Sequence, residues 1–140
     1  MTKIQINKPA PSFSGLDYSG NQIQLLDFLN KKNVLLVFNR GFVWPFCQRH
    51  MAQLRQDQEK IVSKNTEIIV VGPDSVDKFK QFWSKNKLNF IGIPDPKHSI
   101  LKLFGQQVNL FKLGRMPAQV IIDMNGIARF AHYGHDMSDI

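Results

Sequence analysis

VLLVFNRGFVWPFCQRHMAQL runs from Val34 to Leu54 and contains a change of pattern that decides the fold. Val34 to Phe38 is a continuous apolar run with β-branched members, short enough for a strand covered on both faces. Pro45 then stands where a helix tolerates proline, in a first turn whose N–H groups have no intrahelical acceptor anyway. From Phe46 the apolar residues recur at helical spacing. Cys47, Met51, Leu54, Ile61 and Val62 form one stripe, while Arg49, Arg55, Gln56 and Glu59 point elsewhere. The stretch therefore reads as strand, loop and helix, with the chain's single cysteine in the helix's first turn.

The same unit recurs downstream. EIIVVG (Glu67–Gly72) reads as a buried strand, and Asp74-Ser75 as the cap of a helix carrying Val76, Phe79, Phe82 and Trp83. NFIGIPDP is a short strand closed by prolines, and Ser99 to Gly105 is a short helix with a glycine stop. AQVIIDM and IARFAHYG are strand-like runs joined by Asn125-Gly126, a hairpin signal. Upstream, Ser19-Gly20-Asn21 marks a turn between two short segments that would form an N-terminal hairpin, and LDFLNKK reads as a helical turn. The order β-α-β-α-β-α-β-β implies an α/β fold: parallel strands linked by crossover helices, with a closing antiparallel pair.

The totals bound the function. At 140 residues, with 43% hydrophobic residues and 11 phenylalanines, one domain spanning 1–140 with a packed interior is expected. No apolar stretch is long enough to cross a bilayer, and the N-terminus lacks the pattern of a secretory signal. A lone cysteine excludes an internal disulfide framework and fits a reducing compartment, so the expected location is cytoplasmic. The net charge of +7 raises the question of nucleic acid. The basic residues are scattered, however, and the densest group (Lys78, Lys80, Lys85, Lys87) follows a single helix as a solvated face would.

Cys47 admits two readings. A cysteine at a helix N-terminus is driven toward thiolate by unpaired N–H groups and the helix dipole, and Arg40, Arg49 and His50 add positive potential nearby. Pro45 and Phe46 would limit water there. Equally, Cys47 lies on the apolar stripe, and free cysteine is among the most buried residue types. Arg115 and Pro117 stand just before a strand, with Arg115 either near the sulfur or a solvated loop side chain. His50 is one turn past Cys47, where it tunes the thiol or simply faces solvent. His98, His132 and His135 have no convincing further ligand, so no metal is expected.

KPAPSF, VLLVFNRG, PFCQRHMAQLR, IIVVGPDS, GRMPAQVIIDMNG and RFAHYGHDMSDI together resemble the alkyl hydroperoxide reductase and thiol-specific antioxidant branch of the peroxiredoxins. More narrowly, the chain is similar to redoxins carrying Arg-Gly-x-Trp-Cys-Pro-Phe-Cys between a strand and a helix. The resemblance implies a thioredoxin-like fold, with a central mixed sheet flanked by helices. It also implies that Pro117 precedes the fourth strand and faces the cysteine, and that Cys47 is the peroxidatic residue. The implied reaction is reduction of hydrogen peroxide or an organic hydroperoxide, leaving a sulfenic acid. Arg115 is the first candidate for the assisting guanidinium and Arg40 the second.

Trp44, Pro45 and Phe46 are the expected substrate-contacting positions. Trp44 departs from the pattern, standing where the narrower group has a cysteine and ordinary peroxiredoxins a threonine. Indole cannot accept a hydrogen bond as that hydroxyl can. With no second thiol, an external thiol or a thioredoxin- or glutaredoxin-type protein must restore the sulfur; no cofactor is expected. The resembling proteins continue into a further C-terminal helix that this sequence does not carry, which leaves two expectations: a truncated form, or an exposed apolar face covered by a second copy in a homodimer. Two alternatives stand beside the peroxidase: a catalytically silent redoxin-fold binding domain and a glutathione-type thiol transferase.

Overall fold

A computed structural model describes residues 4–105, 108–109, 114–115 and 118–133, with backbone only for 108–109, 114–115 and Tyr133. The chain opens with a hairpin of β1 (Ser14–Leu16) and β2 (Gln22–Gln24), then a single 3-10 turn at Leu25–Phe28. Asp17 shapes the hairpin turn, its carboxylate accepting from the amides of Ser19 and Asn21 at 2.9 Å each. Next come β3 (Asn33–Phe38), α1 (Pro45–Ser63), β4 (Thr66–Gly72), α2 (Val76–Asn86), β5 (Ile91–Pro94) and α3 (Ser99–Leu103). Two-residue strands β6 (Val108–Asn109) and β7 (Gly114–Arg115) precede β8 (Ala118–Ile122) and β9 (Ala128–Tyr133).

The main sheet has the order β5-β4-β3-β8-β9. Strands β3, β4 and β5 are parallel, as their helical crossovers require, while β8 runs antiparallel to β3 and β9 antiparallel to β8. This is the mixed sheet expected of a thioredoxin-like fold. The alternation of side chains along β3 and β4 divides the interior in two. Val34, Leu36, Phe38, Ile69 and Val71 face α3 and the N-terminal segment, packing on Phe13, Ile100, Leu101 and Phe104. Val37, Ile68 and Val70 face α1 and α2, packing on Met51, Leu54, Phe79 and Trp83. The carboxyl ends of β3 and β4 thus lie beside the starts of α1 and α2, the position where open α/β sheets hold their sites.

Several expectations are refined. Cys47, Met51 and Leu54 are buried as the helical stripe required, but Val62, in the last turn of α1, is 50% exposed. Val76 is likewise exposed at the first residue of α2. Ser75 caps α2 by accepting from the Lys78 amide; Asp74 does other work, described below. The β8–β9 connection is a hairpin, but not a two-residue Asn-Gly turn. Met124-Asn125-Gly126 form a three-residue loop in which only Gly126 has positive φ (79°), and the Asp123 carboxylate accepts from the amides of Asn125 and Ile127. The β6–β7 ladder had no signal in the sequence, and it places the Arg115 backbone opposite Val108 rather than in open loop.

Candidate active site

Strand β3 ends at Phe38, and the six residues before Pro45 form a loop closed by Gly41, whose φ of 135° is costly for any residue with a Cβ. The loop is pinned through Phe42. Its amide donates to Asp74 Oδ2 at 2.8 Å, and its carbonyl accepts from Gln48 Nε2 at 2.6 Å. Its ring stacks on Phe82 (centroids 4.3 Å apart, 12° between planes) and meets Phe79 edge-on. Asp74, which follows β4, is therefore a site residue that sequence reading took for a helix cap. The only available signal was topological: parallel neighbours β3 and β4 deliver their following loops to the same edge of the sheet.

Helix α1 begins with Trp44 as its N-cap, and no side chain of that residue satisfies the first amides; Pro45 occupies the first helical position. Cys47 is the third helical residue and only 1% exposed. The backbone N–H groups of Arg40 and Gly41 reach its sulfur. The Arg40 guanidinium also acts on the sulfur, and its carbon lies 3.6 Å above the centre of the Trp44 ring. Arg40 is 4% exposed, and its Nε, Nη1 and Nη2 have no hydrogen-bond partner among the described residues. A buried guanidinium without an acceptor is costly, so a charge at this position is poised for an anion.

The electrostatics correct the expected ready thiolate. Burial pushes the Cys47 thiol above its ordinary value, and the Asp74 carboxylate acts in the same direction. The Arg40 and Gly41 amides and the Arg40 charge oppose that rise without overcoming it. Burial also pulls the Arg40 guanidinium down, while Cys47 supports its charge. His50 is half-buried rather than solvent-facing, and burial lowers its pKa to about 4, so near neutrality it carries no charge toward Cys47. Arg49 is exposed and lies over Phe46, 4.6 Å from the ring centre.

Of the two arginines expected to assist, the structure brings Arg40 to the sulfur. The Arg115 side chain and Pro117 lie outside the described residues, as does His135. Trp44 contacts Arg40, Phe46 is half-buried beneath Arg49, and Pro45 is exposed at the helix start. Among the described residues, no three His, Cys, Asp or Glu side chains gather into a possible metal site. Nor is any helix there long and apolar enough to cross a membrane. Beside the loop lies a pocket of about 320 Å³ lined by Phe42, Val43, Gln48, Lys78, Gln81, Phe82 and Lys85.

A mixed sheet carrying a cysteine in the first turn of the helix after its central strand is the arrangement of a redoxin of thioredoxin-like fold. Residues 6–131 match the model of the AhpC/TSA family, and the chain belongs to that family. It is 28% identical over 105 residues to the peroxiredoxin Bcp of Escherichia coli, covering 75% of this chain and 67% of that protein. It is 26% identical over 132 residues to the chloroplastic peroxiredoxin Q of Sedum lineare, covering 93% and 69%. The chain thus spans about two thirds of the length of these relatives. Among solved structures, the peroxidoxin BcpB of Mycobacterium tuberculosis superposes with a TM-score of 0.86 at 16% identity, covering 97% of this chain and 90% of that one, a likeness of fold.

Proposed function

We propose that the protein is a thiol-dependent peroxidase in which Cys47 reduces hydrogen peroxide or an organic hydroperoxide. The observation that carries this reading is the buried Arg40 guanidinium, which has no acceptor among the described residues and acts with two backbone amides on the sulfur. These groups lower the cost of negative charge at the sulfur and on the oxygens that separate during reaction. The Cys47 thiolate attacks the terminal oxygen of ROOH, an S–O bond forms and the O–O bond breaks. The departing RO⁻ takes a proton to leave as water or alcohol. Sulfur is oxidised to the sulfenic acid as the peroxide is reduced.

The return of the sulfur follows from the cysteine count. With no second thiol in the sequence, an external thiol attacks the sulfenic acid, releases water and forms a mixed disulfide. A second external thiol then frees Cys47. A small thiol or a thioredoxin- or glutaredoxin-type protein fits that role, and a chain with one unpaired cysteine fits the cytoplasm. The pocket beside the loop offers apolar contact with Phe42, Val43 and Phe82 for the organic part of a larger hydroperoxide. Ile121 and Phe130 pair across β8 and β9 and are 38% and 50% exposed, which supports a homodimer covering that face.

One observation favours the silent-domain reading instead: a sulfur 1% exposed, whose ionisation is opposed by burial and by Asp74. Stoichiometric peroxide separates the two. The peroxidase forms a dimedone-trappable sulfenic acid at Cys47 much faster than free cysteine reacts, and Cys47→Ser abolishes peroxide consumption. Equal rates for the protein and free cysteine leave only the binding domain, and trapping by oxidised glutathione but not by peroxide identifies a transferase.

A further inference from the structure

Arg40 presents an unusual combination. It is nearly fully buried, it is charged, and none of its three nitrogens has a hydrogen-bond partner among the described residues. A guanidinium in a protein interior is ordinarily fixed by the carboxylates or carbonyls it bonds. Here the described contact is the face of Trp44, with the guanidinium carbon 3.6 Å from the ring centre, well inside the range of a cation–π interaction. A ring face holds the cation while leaving its N–H groups uncommitted.

The loop is built to put the ring there. The Trp44 amide donates to the Gly41 carbonyl at 3.4 Å, folding residues 41–44 back. A Cβ at position 41 would lie 3.4 Å from Trp44 Cδ1 and 3.6 Å from its Nε1, so the indole edge rests against the glycine backbone. Asp74, the nearby carboxylate, is occupied by the Phe42 amide and forms no ion pair with Arg40 among the described residues.

The geometry points to Trp44 as a positioning residue that holds the Arg40 guanidinium at Cys47 through its ring face, so that the guanidinium's donors stay free for the negative charge at the sulfur. This rests on Cys47 being the reacting group. It also gives the tryptophan a role that a threonine or cysteine could not fill, since neither has a π face.

Among the described residues, the charged groups that act on the sulfur are Arg40 and Asp74, and His50, one turn further along α1, is neutral near neutral pH. The test reads Cys47 ionisation with no peroxide present, as the pH dependence of iodoacetamide alkylation. The midpoint reports ionisation and the alkaline plateau reports access. Trp44→Leu is expected to move the midpoint to higher pH and slow alkylation at neutral pH several-fold. Trp44→Phe, which keeps a ring face, restores most of the loss. In an Arg40→Met background Trp44→Leu leaves the midpoint where Arg40→Met alone puts it.

An unmoved midpoint in Trp44→Leu overturns the inference. So does an equal shift in the Arg40→Met background, because Trp44 would then act only as a cover over the sulfur. Fluorinated tryptophans placed at position 44 weaken the ring face with little change of shape, and keep the test valid if Trp44→Leu fails to fold. The midpoint should climb with each added fluorine, and a flat series refutes the role. Should the alkylation pattern hold while peroxide yields no sulfenic acid, the peroxidase reading falls and the positioning role stands.

Discussion

Asp74 Oδ2 accepts the backbone N–H of Phe42 at 2.8 Å, tying the end of β4 to the loop that leads into Cys47. The bond orders the loop, yet the same carboxylate places negative charge near a sulfur that must itself become negative. Order and acidity are opposed at this one residue.

Asp74→Asn separates the two effects, since the amide oxygen still accepts from Phe42 while the charge is gone. The Cys47 midpoint should fall, and alkylation at a fixed near-neutral pH should quicken several-fold. The sign carries over to stability. A thiol whose folded pKa is raised contributes stability that is complete below its ordinary value of about 9 and is lost as pH rises through the folded value. Asp74→Asn should therefore lose less stability than the parent in alkaline thermal melts. Alkylation no faster than the parent's would show that Asp74 has no electrostatic hold on the sulfur.

His50 governs the acid side. Its imidazole is held neutral by burial, with a pKa lowered from 6.5 to about 4. Between those values the unfolded chain binds a proton that the folded chain does not, so stability falls as pH drops through the window. The full effect is about 3 kcal/mol. Urea denaturation of the parent at neutral pH and near pH 4 should show that loss, and His50→Gln should flatten it. An equal acid loss in His50→Gln would assign the instability to other groups.

The readable and unreadable parts of this site differ in kind. The strand before the site, the proline at the helix start and the burial of Cys47 all follow from periodicity over neighbouring residues. The two placements read for Cys47 coincide, in the apolar stripe and at the helix start, but burial in the stripe raises its thiol rather than leaving it a ready thiolate. Arg40, just past a strand end, was legible as positive potential near Cys47, but not as a buried side chain. Its burial depends on Trp44 folding back over it, which depends in turn on the positive φ of Gly41. Asp74 looked like a cap because its partner, Phe42, lies 32 residues away. Val62 and Val76 kept the apolar spacing of their helices but lie in the last turn of α1 and at the first residue of α2, where they are exposed.

Gly92 tests how tightly the aromatic support beneath the site is packed. A Cβ on this β5 residue would stand 2.7 Å from Trp83 Cζ2 and 3.0 Å from Phe79 Cδ1. Neither ring can easily yield. Trp83 is anchored by its Nε1–H, which donates to the Phe90 carbonyl at 2.8 Å, and its ring packs on Phe79, Phe42 and Phe90. Gly92→Ala should therefore cost about 1–3 kcal/mol by overpacking, although alanine suits a strand better than glycine. The displaced rings bear on Phe42, so the loop holding Arg40 should loosen and the Cys47 alkylation midpoint shift as well. Chemical denaturation read alongside the alkylation profile checks both effects. A variant as stable as the parent would mean that β5 gives way at no cost, and that the rings do not brace the site.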